Sequence, residues 1–361
     1  MSELKTLNKS DIEFQSYLLG TFSKTHRALP LQSLNVDSDQ ERVTFQLVPV
    51  QEIQEPSFFV KWSQVFKLHT FIYAALPMFL IIVKNLLDQT VINPLDGLLA
   101  AIGAFFLHTS LNLRNDFVDH MKGLDRILPT AGSRAIQKGW VTAQSVKNWA
   151  WVYFFLGVLF GLKPVLDYPQ VLLFVGSLSA LGVVLITSFR MGVKYRVWTE
   201  LLVFLLLGPF LTGGFQLSFG APLDLEAVLI GLLTGWVGVF SLHMRNFELL
   251  MVQAQARFYN SITHLGFDTS KVLLKVWWNM FCLGLVLLHM IYSLPVVALI
   301  FLISGFFTSL IFWKILDRLQ SPLGSDLAIT LRVGKQIALL QMSLWFAVNL
   351  IYLLLATGGV E

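Results

Sequence analysis

Residues 111–126 read LNLRNDFVDHMKGLDR and place three aspartates and two asparagines directly after a long apolar run. Ionisable groups at the end of a membrane-spanning segment are costly and are usually kept for a task. If the segment is helical, Asn112, Asp116 and Asp119 share one face, and Asp125 follows beyond Gly123. Two carboxylates and an amide on one face are the oxygen ligands that a hard cation such as Mg²⁺ prefers.

The composition excludes an ordinary soluble protein. Of the 361 residues, 55% are hydrophobic and only 13% are charged, whereas soluble domains are about 25% charged. The net charge of +4 does not indicate nucleic-acid binding, since the 26 Lys and Arg are spread over many short polar segments. The single cysteine, Cys282, lies in an apolar run, which excludes an intramolecular disulfide and a cysteine-based metal site.

Nine apolar stretches are long enough to cross a bilayer, taking about 20 residues as the length that a helix requires. We therefore predict an all-α fold, a polytopic membrane bundle of nine transmembrane helices. The stretches lie near residues 67–86, 95–114, 146–163, 169–189, 198–219, 225–244, 272–292, 296–316 and 335–356. Only Ser293, Leu294 and Pro295 separate the seventh stretch from the eighth, so a short turn is expected there.

The distribution of positive residues predicts the orientation in the membrane. All Lys and Arg except Lys84 and Lys163 fall in the N-terminal region or in alternate loops. Because positive loops are retained on the cytoplasmic side, we expect an inner-membrane protein with a cytoplasmic N-terminus and an external C-terminus. The segments after the second, fourth and sixth stretches then face the cytoplasm and carry most of the candidate chemistry.

Residues 1–56 are polar and mixed in charge, and they are predicted to be a cytoplasmic extension preceding a transmembrane domain at 57–361. They lack the basic and then apolar opening of a signal peptide. Residues 41–53 alternate enough for a strand or hairpin, although Pro49 weakens that prediction. We interpret the extension as a solvated lead-in rather than a catalytic or partner-binding module.

Acidic groups for a metal and basic groups for phosphate oxygens lie together in the loops predicted to be cytoplasmic, at the mouth of an apolar bundle. This combination suits an amphiphile with a charged head and a hydrocarbon tail. The candidates are Asn112, Asn115, Asp116, Asp119, Lys122, Asp125, Arg134 and Lys138, then Arg190, Lys194, Tyr195 and Glu200, then Arg245 and Asn246.

These residues resemble the UbiA superfamily of intramembrane prenyltransferases, closest in pattern to the 1,4-dihydroxy-2-naphthoate polyprenyltransferases. The family's first acidic motif, Asn-Asp-x-x-Asp followed by a further Asp, is similar to Asn115, Asp116, Asp119 and Asp125. The family's first helix, which opens near Arg-Pro-x-Thr, is similar to the segment with Lys67, Leu68 and Thr70. Weaker matches in the same order are Gly132-Ser133-Arg134 with Lys138-Gly139, and the stretch 195–214, which keeps Tyr195, Glu200, Val203, Phe204, Gly208 and Pro209.

The second acidic motif departs from the family pattern Asn-Asn-x-Arg-Asp-x-x-x-Asp. Arg245 is kept, but Asn246 and Leu250 stand at the two aspartate positions. Glu248 is the nearest carboxylate, but it lies two residues beyond Asn246, about 200° around a helix, and does not replace it.

The resemblance implies transfer of a polyprenyl group from an allylic diphosphate to an aromatic or other lipid acceptor, as in quinone biosynthesis. It also implies Mg²⁺ at Asp116 and Asp119, with Asp125 in support. Tyr195 and Glu200 are implied on the acceptor side, and the cations Arg134, Lys138, Arg190, Lys194 and Arg245 on the diphosphate.

Two other functions are open on the residues alone. The changed second motif also fits a non-catalytic relative that binds a prenyl lipid or quinone, and Asp116, Asp119 and Asp125 then serve as helix-end residues paired with Lys122 and Arg126. A transporter fits less well, because few polar residues lie in the middle of the apolar stretches.

Overall fold

The computed structural model of the protein describes residues 3–36, 38–90, 92–127, 133–188, 193–255, 258–324 and 326–358. Within these ranges, nine helices are long and apolar enough to cross a membrane, which confirms the predicted helical bundle. The helices are α1 Phe14–Leu19, α2 Phe58–Val65, α3 Ile72–Leu87, α4 Pro94–Met121, α5 Leu124–Ile127, α6 Ala143–Asp167, α7 Pro169–Ile186, α8 Trp198–Leu207, α9 Pro209–Ser218, α10 Leu225–Glu248, α11 Leu250–Gln255, α12 Ser261–Ile291, α13 Pro295–Arg318 and α14 Asp326–Gly358.

The chain divides into two compact units, which are described separately. The first comprises Met1–Phe71, Phe105–Leu159 and Val183–Gly192, and the second comprises Ile72–Ala104, Phe160–Gly182 and Val193–Glu361. The boundary predicted at residue 56 stays a prediction.

The N-terminal residues form a small antiparallel sheet, so the extension is folded, and its interpretation as a lead-in rather than a catalytic or partner-binding module stays a prediction. Strands β1 Glu3–Asn8, β2 His26–Leu34 and β3 Arg42–Pro49 pair in the order β1-β3-β2. Alternate residues of β3, Val43 and Phe45, are completely buried and pack with Phe14 and Leu18 of α1. The predicted strand within residues 41–53 is therefore present as β3, and it is the central strand of the sheet.

In the first unit, α4 extends past its apolar run to Met121 and carries the acidic residues in its last turns. Leu113 of this helix packs with Val65 of α2 and with Val146 and Ala150 of α6 in one buried cluster. The Ser110 hydroxyl donates a hydrogen bond to the Ala150 carbonyl over 2.7 Å. The first acidic motif is thus built on a rigid helix rather than on a loop.

In the second unit, α10 packs against α8, α9 and α12. Helices α12 and α13 form an antiparallel hairpin across a short turn at residues 292–294, one residue before the turn expected at 293–295. Helix α12 changes direction at Gly266, whose φ of 76° lies in the left-handed region. Its long apolar part follows that bend and corresponds to the predicted stretch at 272–292.

Helix α10 closely approaches the break between α8 and α9. A Cβ on Gly235 would lie 2.5 Å from the Phe204 carbonyl oxygen and 3.2 Å from the Gly208 Cα. Small residues at such crossings let backbones approach and gain van der Waals contact in membranes.

Gly235→Ala is therefore expected to destabilise the fold, because the added methyl meets backbone atoms that have no rotamer to change. The expected loss is about 1–3 kcal/mol, measured as a lower melting temperature in detergent. Gly161→Ala is the matched control, since a Cβ there meets nothing within 4 Å. An equal melting temperature for both variants would contradict the close packing of α10.

Candidate active site

Asp116 of the first motif is buried and forms an ion pair. Its residue is 4% exposed, and its Oδ1 lies 2.5 Å from the Lys67 ammonium. The Ser133 backbone N–H lies 3.4 Å from Oδ2. The ion pair with Lys67 differs from the alternative derived from the sequence, in which Lys122 and Arg126 paired with the motif.

Lys67 reaches Asp116 because the chain turns sharply between α2 and α3. Lys67 itself has a φ of 54°, which is uncommon for a residue with a side chain. The Thr70 hydroxyl donates to the Lys67 carbonyl over 2.8 Å, and Asn112 Nδ2 donates to the Thr70 hydroxyl over 2.9 Å. Asn112, predicted to bind substrate, therefore stabilises the turn that presents Lys67.

The second carboxylate of the motif, Asp119, lies one helical turn after Asp116 on α4. Its Oδ2 is 3.4 Å from Asn115 Nδ2, so these two predicted site residues are neighbours. Lys122 lies in the turn that follows α4 and is half-buried.

Asp125 lies on the short helix α5 and is buried. Gln137 Nε2 donates a hydrogen bond to its Oδ2 over 2.7 Å, and Arg134 Nη1 lies 3.4 Å from its backbone carbonyl. Arg134 thus lies beside Asp125 of the motif, and its contact with the diphosphate stays a prediction. Lys138 instead places its ammonium 4.4 Å from the centre of the Trp140 ring, a cation–π contact.

The second motif is held in an internal hydrogen-bond network. Asn246 Oδ1 accepts a hydrogen bond from Gln253 over 3.0 Å, and Gln253 Oε1 accepts one from Asn260 over 2.8 Å. Asn260 Oδ1 in turn accepts from the Thr263 N–H and caps α12. All three amide side chains are buried, so Asn246 connects α10 to α12 through Gln253 of α11.

The charges next to Asn246 form an ion-pair network. Glu248 Oε2 lies 3.1 Å from Arg245 Nη1 and 3.2 Å from the Lys335 ammonium. Glu248 therefore neutralises two cations, one of which is the arginine predicted to bind diphosphate.

A polar cluster in the second unit contains Glu200 and two residues that the sequence did not assign to the site. The Ser261 hydroxyl donates a hydrogen bond to Glu200 Oε1. His243 contacts both residues, with Nδ1 3.5 Å from Glu200 Oε1 and Nε2 3.2 Å from the Ser261 hydroxyl. His243 could have been identified from its position beside the second motif in the sequence. No local sequence feature indicated Ser261.

Tyr195, predicted near Glu200, is buried and packs its ring on Phe258 at a centroid distance of 4.2 Å. The Lys194 ammonium lies 5.6 Å from the same tyrosine ring. Arg190 and Gly132 lie outside the described residues.

The donor set of the first motif fits Mg²⁺ better than that of the second. No group of three or more His, Cys, Asp or Glu side chains able to hold a metal occurs in the described ranges. Mg²⁺ typically uses one or two carboxylates and completes its shell with water and substrate phosphates. Asp116 and Asp119 supply two carboxylates one helical turn apart. The second motif supplies the Asn246 amide and the single carboxylate of Glu248, which is paired with two cations.

Comparison with known proteins agrees with this architecture. The family model described as the UbiA prenyltransferase family matches residues 75–330. The chain belongs to the UbiA prenyltransferase family. It is therefore an integral, multi-pass membrane protein. No curated protein sequence matches the chain.

Solved structures of UbiA homologues show the same fold. A UbiA homologue from Archaeoglobus fulgidus bound to DMAPP and Mg²⁺ is 10% identical, covers 80% of this chain and 99% of its own, and has a TM-score of 0.55. The same homologue bound to GPP and Mg²⁺ is 11% identical, with the same coverage and a TM-score of 0.54. At these identities the likeness concerns the fold.

Proposed function

We propose that this UbiA family member transfers a prenyl group from an allylic diphosphate to an aromatic lipid acceptor such as a quinone precursor. The observation that carries the proposal is the buried pair of Asp116 and Lys67, with Asp119 one turn away on the same helix. Carboxylates for a metal and an ammonium for phosphate oxygens stand together at the end of an apolar helix. The archaeal homologue was solved bound to DMAPP and Mg²⁺ and bound to GPP and Mg²⁺, which supports the same ligand class for this chain.

On the donor side, Asp116 and Asp119 would hold Mg²⁺, which when bound neutralises charge on the leaving diphosphate. As the donor enters, the Lys67 ammonium can exchange its ion pair with Asp116 for one with a diphosphate oxygen. Arg134 lies beside Asp125 and supplies a second cation. These two cations stabilise the diphosphate as it leaves with the electrons of the carbon–oxygen bond.

On the acceptor side, we assign Glu200 as the proton acceptor. The new carbon–carbon bond takes its electrons from the aromatic ring, and the ring must then release a proton. The Glu200 carboxylate contacts Ser261 and His243. These contacts offset the cost of placing an ionisable group on an apolar helix. A positioned carboxylate of this kind is a suitable general base.

The proposed orientation places the first motif and Glu200 on the cytoplasmic side. The support is the charge distribution, in which only Lys84 and Lys163 fall in the opposite set of loops.

The test is an assay of the purified protein in lipid nanodiscs with a panel of prenyl diphosphates and aromatic acceptors. We expect Mg²⁺-dependent release of diphosphate together with a product heavier than the acceptor by the prenyl group. Chelation of Mg²⁺ should stop the release, and readdition should restore it. Folded protein that releases no diphosphate with any donor or acceptor would exclude the proposal.

The second motif favours one alternative, a relative that binds a prenyl lipid without turnover. Asn246 and Glu248 are engaged with Gln253, Arg245 and Lys335, and so are not free to bind a second metal. Co-purified prenyl lipid in a protein that releases no diphosphate would support this alternative.

A further inference from the structure

The N-terminal sheet is joined to the first acidic motif by a buried ion pair. Glu41, the residue directly before β3, accepts a hydrogen bond from Arg126 on α5, and their side chains are 3% and 1% exposed. Arg126 Nη1 also donates to the His120 carbonyl in the last turn of α4 over 2.9 Å. Arg126 thus links the sheet to the helix end that carries Asp116 and Asp119.

A second connection runs through the hydrogen bonds of His120 and Gln137. His120 Nε2 lies 2.9 Å from the Leu18 carbonyl of α1, so that nitrogen is the donor. His120 Nδ1 then accepts from Gln137 Nε2 over 3.1 Å, and the same amide nitrogen donates to Asp125 Oδ2 over 2.7 Å. The two hydrogens of one amide therefore join His120 to the third aspartate of the motif.

The turn between α4 and α5 lies directly against the sheet. Gly123 has a φ of 78°, and a Cβ there would be 2.6 Å from Val36 Cγ1 and 2.4 Å from Arg126 Nη2. Only a glycine gives both this backbone conformation and this approach.

We propose that the N-terminal module, defined as residues 3–49, positions the first acidic motif for donor binding. Glu41 and Gln137 are the positioning residues, acting through Arg126 and on Asp125 respectively. This inference rests on the proposed function, since it assigns the motif to the prenyl diphosphate. The N-terminal module lies before the region that matches the family, and we assign it a role in forming the donor-binding side.

The test compares two variants, each with a matched control. Gln137→Leu removes the amide that joins His120 to Asp125, and Gln144→Leu makes the same change where the amide donates to Asn148 on an exposed face. Glu41→Gln removes the buried carboxylate, and Glu13→Gln makes that change in the exposed pair with Lys5. Glu41→Asp keeps the charge and should therefore retain part of the wild-type activity and Mg²⁺ dependence.

Three quantities are measured on the full chain in nanodiscs. The first two are kcat and the Mg²⁺ concentration for half-maximal diphosphate release. The third is the rise in melting temperature on adding Mg²⁺ with inorganic diphosphate, which needs no turnover. Gln137→Leu and Glu41→Gln are expected to raise the Mg²⁺ requirement or lower kcat by about 10–100-fold, and to reduce the ligand-induced rise. Both controls should match the wild type.

The outcomes separate this inference from the proposed function. If the wild type is active, or is stabilised by Mg²⁺ with diphosphate, and Gln137→Leu behaves identically, the positioning role is overturned and the function stands. If the wild type is neither active nor stabilised, both are overturned. Since Glu41→Gln leaves Arg126 buried without its anion, Gln137→Leu decides the matter if Glu41→Gln fails to fold.

Discussion

Asp116→Asn and Asp119→Asn are each expected to lower Mg²⁺-dependent diphosphate release by at least ~100-fold. Each substitution keeps the shape of the side chain and removes one of the two carboxylates that would hold the metal. With the second motif lacking carboxylates at 246 and 250, no replacement ligand exists at those positions. The rate should be measured as diphosphate release under saturating donor, with the Mg²⁺ dependence recorded in parallel.

The control must separate a lost ligand from a lost ion pair. Asp116→Asn leaves the Lys67 ammonium buried without its anion, which destabilises a protein by itself. The double variant Asp116→Asn with Lys67→Met removes both charges, so it should fold well and remain inactive. Asp317→Asn changes an exposed acid paired with Lys275 and should keep full activity. Wild-type turnover in Asp119→Asn would show that Asp119 is not a required metal ligand.

The membrane bundle is predictable from the sequence because long apolar segments have few stable structures other than a membrane-spanning helix. A bilayer requires every backbone polar group to be bonded internally, so each run of about 20 apolar residues becomes a helix. The same reasoning places Asp116 and Asp119 one turn apart, since α4 continues to Met121 without a break. Composition therefore predicts the fold class correctly, whereas the assignment of these aspartates to the donor side stays a prediction.

The N-terminal module was not predictable in the same way. Its strands are short, and β1 pairs with residues 42–47, far along the chain. Glu41 meets Arg126 across 85 positions. No local periodicity in the sequence indicates such a contact. The register of the strands and the burial of Glu41 are fixed only when the sheet packs on α1 and on the motif.

The Glu200 cluster shows the same limit in the second unit. Glu200 was predicted from the family resemblance, but Ser261 lies 61 positions away and His243 lies on α10. The second motif was predicted to be altered. Its present role, an amide network from Asn246 to Asn260, became visible only with the tertiary contacts.

Glu200→Gln is expected to give the second large effect, on prenyl transfer rather than on donor binding. A neutral amide cannot accept the ring proton, so we expect product formation to fall by about 10²–10⁴-fold. The donor side is unchanged, so the stabilisation by Mg²⁺ with diphosphate should equal that of the wild type. Product is measured by mass, and stabilisation by the melting temperature.

A graded series makes the assignment of Glu200 specific. Ser261→Ala removes one hydrogen-bond donor to the carboxylate and keeps the base, so its effect should be much smaller than that of Glu200→Gln. Glu226→Gln makes the same carboxylate-to-amide change in the first turn of α10 and should leave transfer unchanged. If Glu200→Gln instead forms product at the wild-type rate, the proton leaves by another route. Glu200 then serves only to order α8, α10 and α12 through Ser261 and His243.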